Sequence, residues 1–437
     1  MRLAIVVQRY GAEINGGAEL HARYIAERLA AHAEVRVFTT CARDYVTWRD
    51  AYPSGVDRVN GITVERFPVT HERDADIFGR HSTRVFLHWH SFQQEIDWLN
   101  AEGPVSTALL TKLESDASAF DFAFVFSLRY HHAYHAARLL ADRAILVPTV
   151  EREAAIGLGL FPPILRGVRA IMYNSPEERA LIHALSGNEQ VPGVVVGVGS
   201  DIPSAVDAGS ARVRFGLTRP YLLYVGRIDA NKGCAEMFDH FERLVLERPH
   251  PPDLVLIGAA NMPIPDHPRV RHLGFLSDRD KFDVLAGATA LVVPSYFESL
   301  SMVAIEAWAL GIPVVANARC DVLVGQCLRS QAGLYYHTAE EFLGICDRLL
   351  TDPGLTTQLA ANGRAYHAAE YSWPVIEQKY LEMLDTLSEQ PAPRRMQGEP
   401  GWLSRRRRVL PPAADVVAAL PMGPSLDPSL VAENGVA

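Results

Sequence analysis

The feature that narrows this chain most is a unit that occurs twice: a short apolar run, a glycine-bearing loop, an amphipathic helix and a second apolar run. The first copy opens at residues 3–7, passes a loop at 11–17 and a helix over about 18–31, and reaches a strand at 35–39. The second opens at 221–225, with a helix over about 234–246 and a strand at 254–257. Strands covered on both faces read as continuous apolar runs, and a strand-loop-helix-strand order joins parallel neighbours through a crossover helix. Two such series predict an α/β protein of two Rossmann-like, doubly wound domains facing a central cleft. Ligands bind such sheets at the carboxyl ends of the strands.

Further strands are expected at 62–67, 122–127, 144–147, 170–173 and 194–198 in the first series, and at 270–273, 290–293 and 314–316 in the second. Helices are expected at 278–286, 299–310, 339–350 and 355–370. The polar stretch 71–104, rich in Arg, His and Trp, predicts a helical insertion. A turn-rich run near 201–210 separates the series, which places an N-terminal domain at 1–205 and a C-terminal domain at 206–370. Trp373, Ile376, Tyr380 and Leu384 form a helical stripe, so 371–388 is expected to pack on a domain. From 389 to 437 the chain is rich in Pro, Ala and Arg, with four consecutive arginines at 405–408, and a disordered tail is expected.

Composition excludes several classes. With 48% hydrophobic and 21% charged residues the chain is of globular type, and a net charge of −9 offers no attraction for nucleic acid. No apolar run approaches the roughly 18 residues of a membrane span, and the N-terminus lacks a signal-peptide profile, so a cytoplasmic protein is expected. The five cysteines are scattered without metal-ligand spacing and read as reduced thiols. Arg405 to Arg408 would allow at most weak peripheral contact with anionic lipid.

Three segments carry chemistry. In VPSYFESLSMVAIEAWALG (293–311) an apolar strand ends at Pro294, a loop follows, and a helix is expected from Ser299 to a glycine cap at Gly311. Such a helix start suits a phosphate. Glu298 stands at its mouth and Glu306 two turns on, about 9–12 Å apart at a helical rise, a span like that from sugar to ribose in a nucleotide sugar. The similarly spaced Glu19 and Glu27 read as a solvated helix face or local ion pairs. In YLLYVGRIDANKG (221–233) a strand ends at Gly226, and Arg227 and Lys232 lie in the loop before a helix. An arginine fork and a lysine point charge suit phosphate oxygens, and lysine is scarce here, with only Lys112, Lys232, Lys281 and Lys379. In NGGAE (15–19) Gly16 and Gly17 would let a ligand approach the backbone, although the dinucleotide Gly-x-Gly-x-x-Gly spacing is absent.

In this order the three segments resemble the glycosyltransferase family 4 group of two-domain, GT-B-type enzymes, over about residues 1–388. The resemblance implies a helix at 371–388 that crosses back to the N-terminal domain, and retention of anomeric configuration with no metal and no cofactor beyond the nucleoside-diphosphate sugar co-substrate. It implies that Arg227 and Lys232 neutralise the leaving diphosphate and Glu298 holds sugar hydroxyls. Glu306 would bind the ribose, the backbone at Ser299, Leu300 and Ser301 cap a phosphate, Gly16 and Gly17 shape the phosphate and acceptor side, and Phe275 lie beside the base. The acceptor would be a polysaccharide, a glycolipid or other lipid-linked glycan, or a small molecule. Many members carry a histidine after the strand that here ends ILVPTV (145–150). This chain has Glu151 there, followed by Arg152 and Glu153, so Glu151 is the candidate replacement, with His131 and His132 as further possible acceptor or sugar contacts. A nucleotide-sugar epimerase, a phosphorylase and a non-catalytic nucleotide-sugar-binding pseudoenzyme stay open as alternatives. The tripeptides at Asp74–Asp76 and Asp278–Asp280 do not clearly follow strands and are discounted as metal motifs.

Overall fold

The computed structural model describes residues 1–392, 396, 398–399 and 413–418. In the first series the apolar runs pair through their backbones, because every buried amide needs a partner. The elements are β1 (Arg2–Val6), α1 (Gly17–Leu29), β2 (Glu34–Thr40), β3 (Gly55–Val59), β4 (Ile62–Phe67), α2 (Ala75–Leu87), α3 (Phe92–Glu102), α4 (Thr107–Ser115), β5 (Phe122–Phe126), α5 (His131–Leu139), β6 (Ala144–Val147), α6 (Phe161–Gly167), β7 (Ala170–Tyr173), α7 (Pro176–Ser186) and β8 (Gly193–Val195). Eight strands form one sheet in the order β3-β4-β2-β1-β5-β6-β7-β8. All pairs are parallel except β3 with β4. β1 and β5 sit centrally, and Leu3, Ile5, Phe124 and Phe126 are fully buried.

The second series supplies α8 (Ala208–Arg214), β9 (Tyr221–Val225), α9 (Cys234–Glu247), β10 (Asp253–Ile257), β11 (Val270–His272), α10 (Asp278–Ala286), β12 (Ala290–Val293), α11 (Met302–Leu310), β13 (Val314–Asn317), α12 (Asp321–Ser330), β14 (Gly333–Tyr336), α13 (Ala339–Thr351), α14 (Pro353–Glu370) and α15 (Trp373–Glu389). Its six-stranded sheet runs β11-β10-β9-β12-β13-β14, parallel throughout. Residues 397–437 form a separate unit, of which a six-residue helix, α16 (Ala413–Ala418), is described.

The polar stretch 71–104 contains α2 and α3. Asp74 caps α2 by accepting from the amides of Asp76 and Ile77, and Ser91 with Gln94 forms a capping box on α3. Side chains tie this insertion to the loop after β2 and close it on itself. Trp48 Nε1 donates to the Glu102 carbonyl (2.7 Å), and Arg73 donates to the same carbonyl and to the Glu102 carboxylate (2.9 Å).

α15 lies against α1 of the first series. His21 Nε2 and the Tyr380 hydroxyl are 3.0 Å apart, and Tyr380 also packs its ring on Phe124. Trp373 stacks under the Arg28 guanidinium at 4.5 Å and donates to Asp201 at 2.7 Å, and Arg28 pairs with Asp201. Ile376, Tyr380, Leu384 and Leu387 are buried beneath the helix. Order continues beyond the expected tail boundary at 389, because Arg169 holds the carbonyls of Leu387, Gln390 and Pro391 (2.6, 2.5 and 2.8 Å). The arginines at 405–408 lie outside the described residues.

His21 is fully buried and its pKa is pushed down to about 3 by desolvation, so it stays neutral and needs its tyrosine partner. Tyr380→Phe removes that partner at a buried site, and a loss of about 1–3 kcal/mol is expected, with Lys379→Ala, a half-buried side chain in one long pair with Glu370, near neutral. Thermal unfolding of the two variants checks this. Equal midpoints would show that the buried bond does not hold α15 to α1.

Candidate active site

The chain turns sharply where strands of both sheets end. Ser127 after β5 and Thr149 after β6 have positive φ (65° and 49°), and Ser301 before α11 has φ 69°. Non-glycine residues in this region are uncommon, and a β-branched one is an outlier that its surroundings must hold in place. Thr149 Oγ1 donates to Ser127 Oγ at 3.3 Å. In the second sheet glycine is required by close approach: a Cβ on Gly233 (φ 73°) would collide with the Pro294 carbonyl, and one on Gly258 (φ 131°) with the Gly226 carbonyl. The first contact presses the 226–233 loop against the end of β12, and the second presses it against the end of β10.

Lys232 and Glu298 meet there, Nζ to Oε1 at 2.8 Å. Glu151, from the loop after β6 of the other sheet, interacts electrostatically with both. Burial pushes the Glu151 pKa up to about 7. Lys232 opposes that shift, while the Glu298 and Glu153 carboxylates add to it. Burial alone would lower Lys232, but Glu298 and Glu151 outweigh it and hold the ammonium well above its ordinary value. Behind Glu151 stands Glu178, buried at 1% exposure and pushed to about 8 by burial, against the amides of Asn174 and Val150 (both 2.6 Å) that lower it. Arg129 bridges Glu102 (2.8 Å) and Glu153, which fixes the 151–153 turn. Arg129, Thr149, Val150, Glu153, Ile156 and Phe161 line a recess beside it.

Arg227 donates from Nε to Asp229 (2.6 Å) and from Nη1 to the Tyr45 hydroxyl (2.7 Å). Glu306 is the one charged residue of α11 and is 3% exposed. Lys281 holds its Oε1 at 3.0 Å, and its Oε2 has no hydrogen-bond partner. Burial raises the Glu306 pKa, and Lys281 opposes this. Phe275 follows Gly274 (φ 72°) and is 73% exposed, a large ring left in solvent.

α11 begins at Met302, three residues later than expected, because Ser301 is left-handed and cannot continue a helix. The helical rise assumed between Glu298 and Glu306 therefore does not apply to residues 298–301. Ser299 Oγ accepts from Asn174 Nδ2 (3.3 Å), a contact between the two series, and Leu300 is buried with its carbonyl bound by Gln326. Gly16 precedes α1, and a Cβ there would collide with Glu19, whereas Gly17 faces open space. Glu19 is not on a solvated face: it is 5% exposed and paired with Arg9 (2.6 Å). Glu27 accepts from Asn60 at 2.7 Å.

His131 and His132 lie in the first turn of α5 and are 4% and 1% exposed. His132 Nε2 contacts the Phe126 carbonyl (3.2 Å), and burial lowers its pKa to about 3. These positions face the interior. The aspartates at 74 and 280 serve helix starts and local pairs: Asp280 accepts at the start of α10 and from Arg214, and Asp278 pairs with Lys281 (3.6 Å). Among the described residues no three His, Cys, Asp or Glu side chains converge as a metal site, and all five cysteines are free and buried. No helix among those residues is long and apolar enough to cross a membrane.

Residues 219–352 match the family model Glycosyl transferases group 1. A D-inositol 3-phosphate glycosyltransferase of Rhodococcus erythropolis is 29% identical over 235 residues, 48% of this chain and 52% of that protein. One of the same name from Frankia alni is 27% identical over 402 residues, 82% of this chain and 91% of that protein. In the first three such matches the chain spans about half the length of the relative. Sucrose-phosphate synthase from Thermosynechococcus elongatus superposes with a TM-score of 0.65 at 19% identity, covering 89% of this chain and 99% of that one. Anabaena Alr3699/HepE in complex with UDP and glucose gives 0.63 at 18%, covering 88% and 100%. The fold is GT-B, two parallel-sheet α/β domains. Within it the second domain is the part of the chain that matches the Glycosyl transferases group 1 model.

Glu151 and Glu178 both have folded pKa values above an ordinary glutamate, so their charged forms are disfavoured in the native state. Their contribution is fully present below the unfolded pKa and is lost as pH rises through about 7 and about 8. Unliganded protein should thus lose stability from these groups between pH 5 and 9. Glu151→Gln should flatten part of that slope, which unfolding midpoints across the range would read. A variant with the wild-type slope would contradict the placement of Glu151.

Proposed function

We propose that this protein is a retaining glycosyltransferase that moves a sugar from a nucleoside-diphosphate sugar to a glycan, glycolipid or small acceptor, without a metal and in the cytoplasm. The observation that carries this reading is Glu306, a buried carboxylate on an apolar helix with one oxygen tied to Lys281 and the other unpaired. A buried acceptor without a donor is costly, and a ribose hydroxyl supplies one. The names of relatives and the UDP-bound fold neighbour support the donor class.

In this reading, charge growing on the leaving diphosphate meets the guanidinium of Arg227 and the ammonium of Lys232, fixed before the reaction. Glu298 keeps Lys232 in place through one oxygen and offers the other to sugar hydroxyls. Backbone amides of residues 299–301, the α11 start and the Gly16–Gly17 loop border the phosphates. Phe275 offers a face to the base. Glu151, its pKa raised by burial, would meet a sugar or acceptor hydroxyl.

The expected outcome separates the residues. UDP or GDP should raise the unfolding midpoint of the wild type, and Arg227→Ala should remove most of the rise. Glu298→Gln should lower donor turnover by about 10²-fold and weaken free diphosphate by much less, because its sugar contacts strengthen as charge builds on the sugar while its hold on Lys232 is only weakened. Glu306→Gln should weaken donor and free diphosphate alike, by roughly 1–3 kcal/mol. Calorimetric titration and turnover measure these. Equal small effects at Glu298, Glu306 and Glu27→Gln would refute the assignment.

A further inference from the structure

We propose that Tyr45 is a positioning residue for Arg227, reaching from the N-terminal domain to aim the guanidinium at the diphosphate. The proposal rests on the reading of Arg227 as a phosphate ligand. Arg227 is gripped on two edges: Nε by Asp229 of its own loop, and Nη1 by the Tyr45 hydroxyl at 2.7 Å. Among the described residues Nη2 makes no hydrogen bond, so one edge is left for a ligand. The Tyr45 ring also lies between two guanidiniums, 5.6 Å from Arg9 and 5.2 Å from Arg227.

Tyr45 is placed independently of Arg227, which decides that the tyrosine directs the arginine and does not follow it. The loop carrying it is folded on itself, with Asp44 accepting from the Val46 and Thr47 amides and the Thr47 hydroxyl (2.8, 2.6 and 2.8 Å). Its carbonyl accepts from Arg73 Nη1 at 2.9 Å. Arg73 is locked onto Glu102, and Glu102 onto Arg129, which holds Glu153 two residues from Glu151. A chain of paired charges, buried at Glu102 and half-buried at Arg73, Arg129 and Glu153, thus runs from the acceptor-side carboxylate loop to the residue that orients Arg227. Arginine loses less freedom per bond when its plane is already set. The consequence is that Arg227 is fully oriented only when the two domains are together.

A double-mutant cycle tests this, with UDP and GDP as titrants in calorimetry and unfolding midpoints without nucleotide as the folding control. Tyr45→Phe keeps the ring and removes the hydroxyl, and it should weaken the nucleotide that binds wild type by about 5- to 20-fold. In the Arg227→Ala background the same change should alter affinity by less than about 2-fold, because its route is gone. A loss of purely structural origin would instead persist in both backgrounds, and that result overturns the proposal. So does tighter binding by Tyr45→Phe, which would mean that the hydroxyl competes with phosphate. Unchanged binding by Tyr45→Phe beside a damaged Arg227→Ala defeats the role of Tyr45 alone. An Arg227→Ala protein that binds like wild type, or a wild type that binds neither nucleotide, defeats the diphosphate site and this proposal together.

Discussion

The ion pair between Lys232 and Glu298 is the contact on which the site depends. It joins the loop after β9 to the loop after β12, and both loops are pressed together by a backbone approach that only glycine permits at 233. A partly buried pair is screened little by salt, and here it has a third member. Glu151 adds a second carboxylate to one ammonium, so the cluster cannot be fully ionised without cost. Burial and the two neighbouring carboxylates raise the Glu151 pKa, and Lys232 and Arg129 pull it back. The cluster is therefore poised to respond to an arriving anion.

Because Glu151 belongs to one domain and Lys232 to the other, the cluster has meaning only if the domains are held together. Several contacts do this. Arg152 pairs with Asp321 at 2.8 Å, Arg329 with Glu177, and Asn174 with Ser299. Exposed pairs of the first kind are worth little, at about 0–1 kcal/mol. The larger share falls to α15, which follows the second domain in the chain and buries Ile376, Tyr380, Leu384 and Leu387.

Most of the fold was legible because it is written in apolar runs: both central strands, and the stripe of Trp373, Ile376, Tyr380 and Leu384, followed from periodicity. β3 did not, because four of its five residues are exposed and carry no alternation. Asn60-Gly61, a hairpin turn with both residues at positive φ, was the signal available for it. α12 and β14 were hidden by short, mixed patterns. Glu298, Lys232 and Arg227 were singled out from strand-loop-helix context and Glu151 from the resemblance, at the place of a histidine; that Lys232, Glu298 and Glu151 meet is seen only in the structure. Of the two readings of Glu19, a solvated face or an ion pair, the structure has the pair, and the helix pattern alone could not show that Arg9 lies across it. His131 and His132, offered as possible acceptor or sugar contacts, are turned inward by the helix. Lys281 could have been found from the scarcity of lysine. Tyr45 could not, since its partner Arg227 is distant in sequence, and neither could the contact of Glu178 with the Val150 amide.

The central claim is that a diphosphate binds against the Lys232, Glu298 and Glu151 cluster, and proton uptake tests it most directly. An anion placed beside Glu151 raises its pKa further, so binding must draw a proton from solution. The measurement is calorimetry of UDP or GDP binding at about pH 8, where a diphosphate is almost fully ionised, in buffers of different ionisation enthalpy. Wild type should take up a fraction of a proton that Glu151→Gln does not. Identical proton exchange in the two proteins would place the diphosphate away from this cluster and contradict the account.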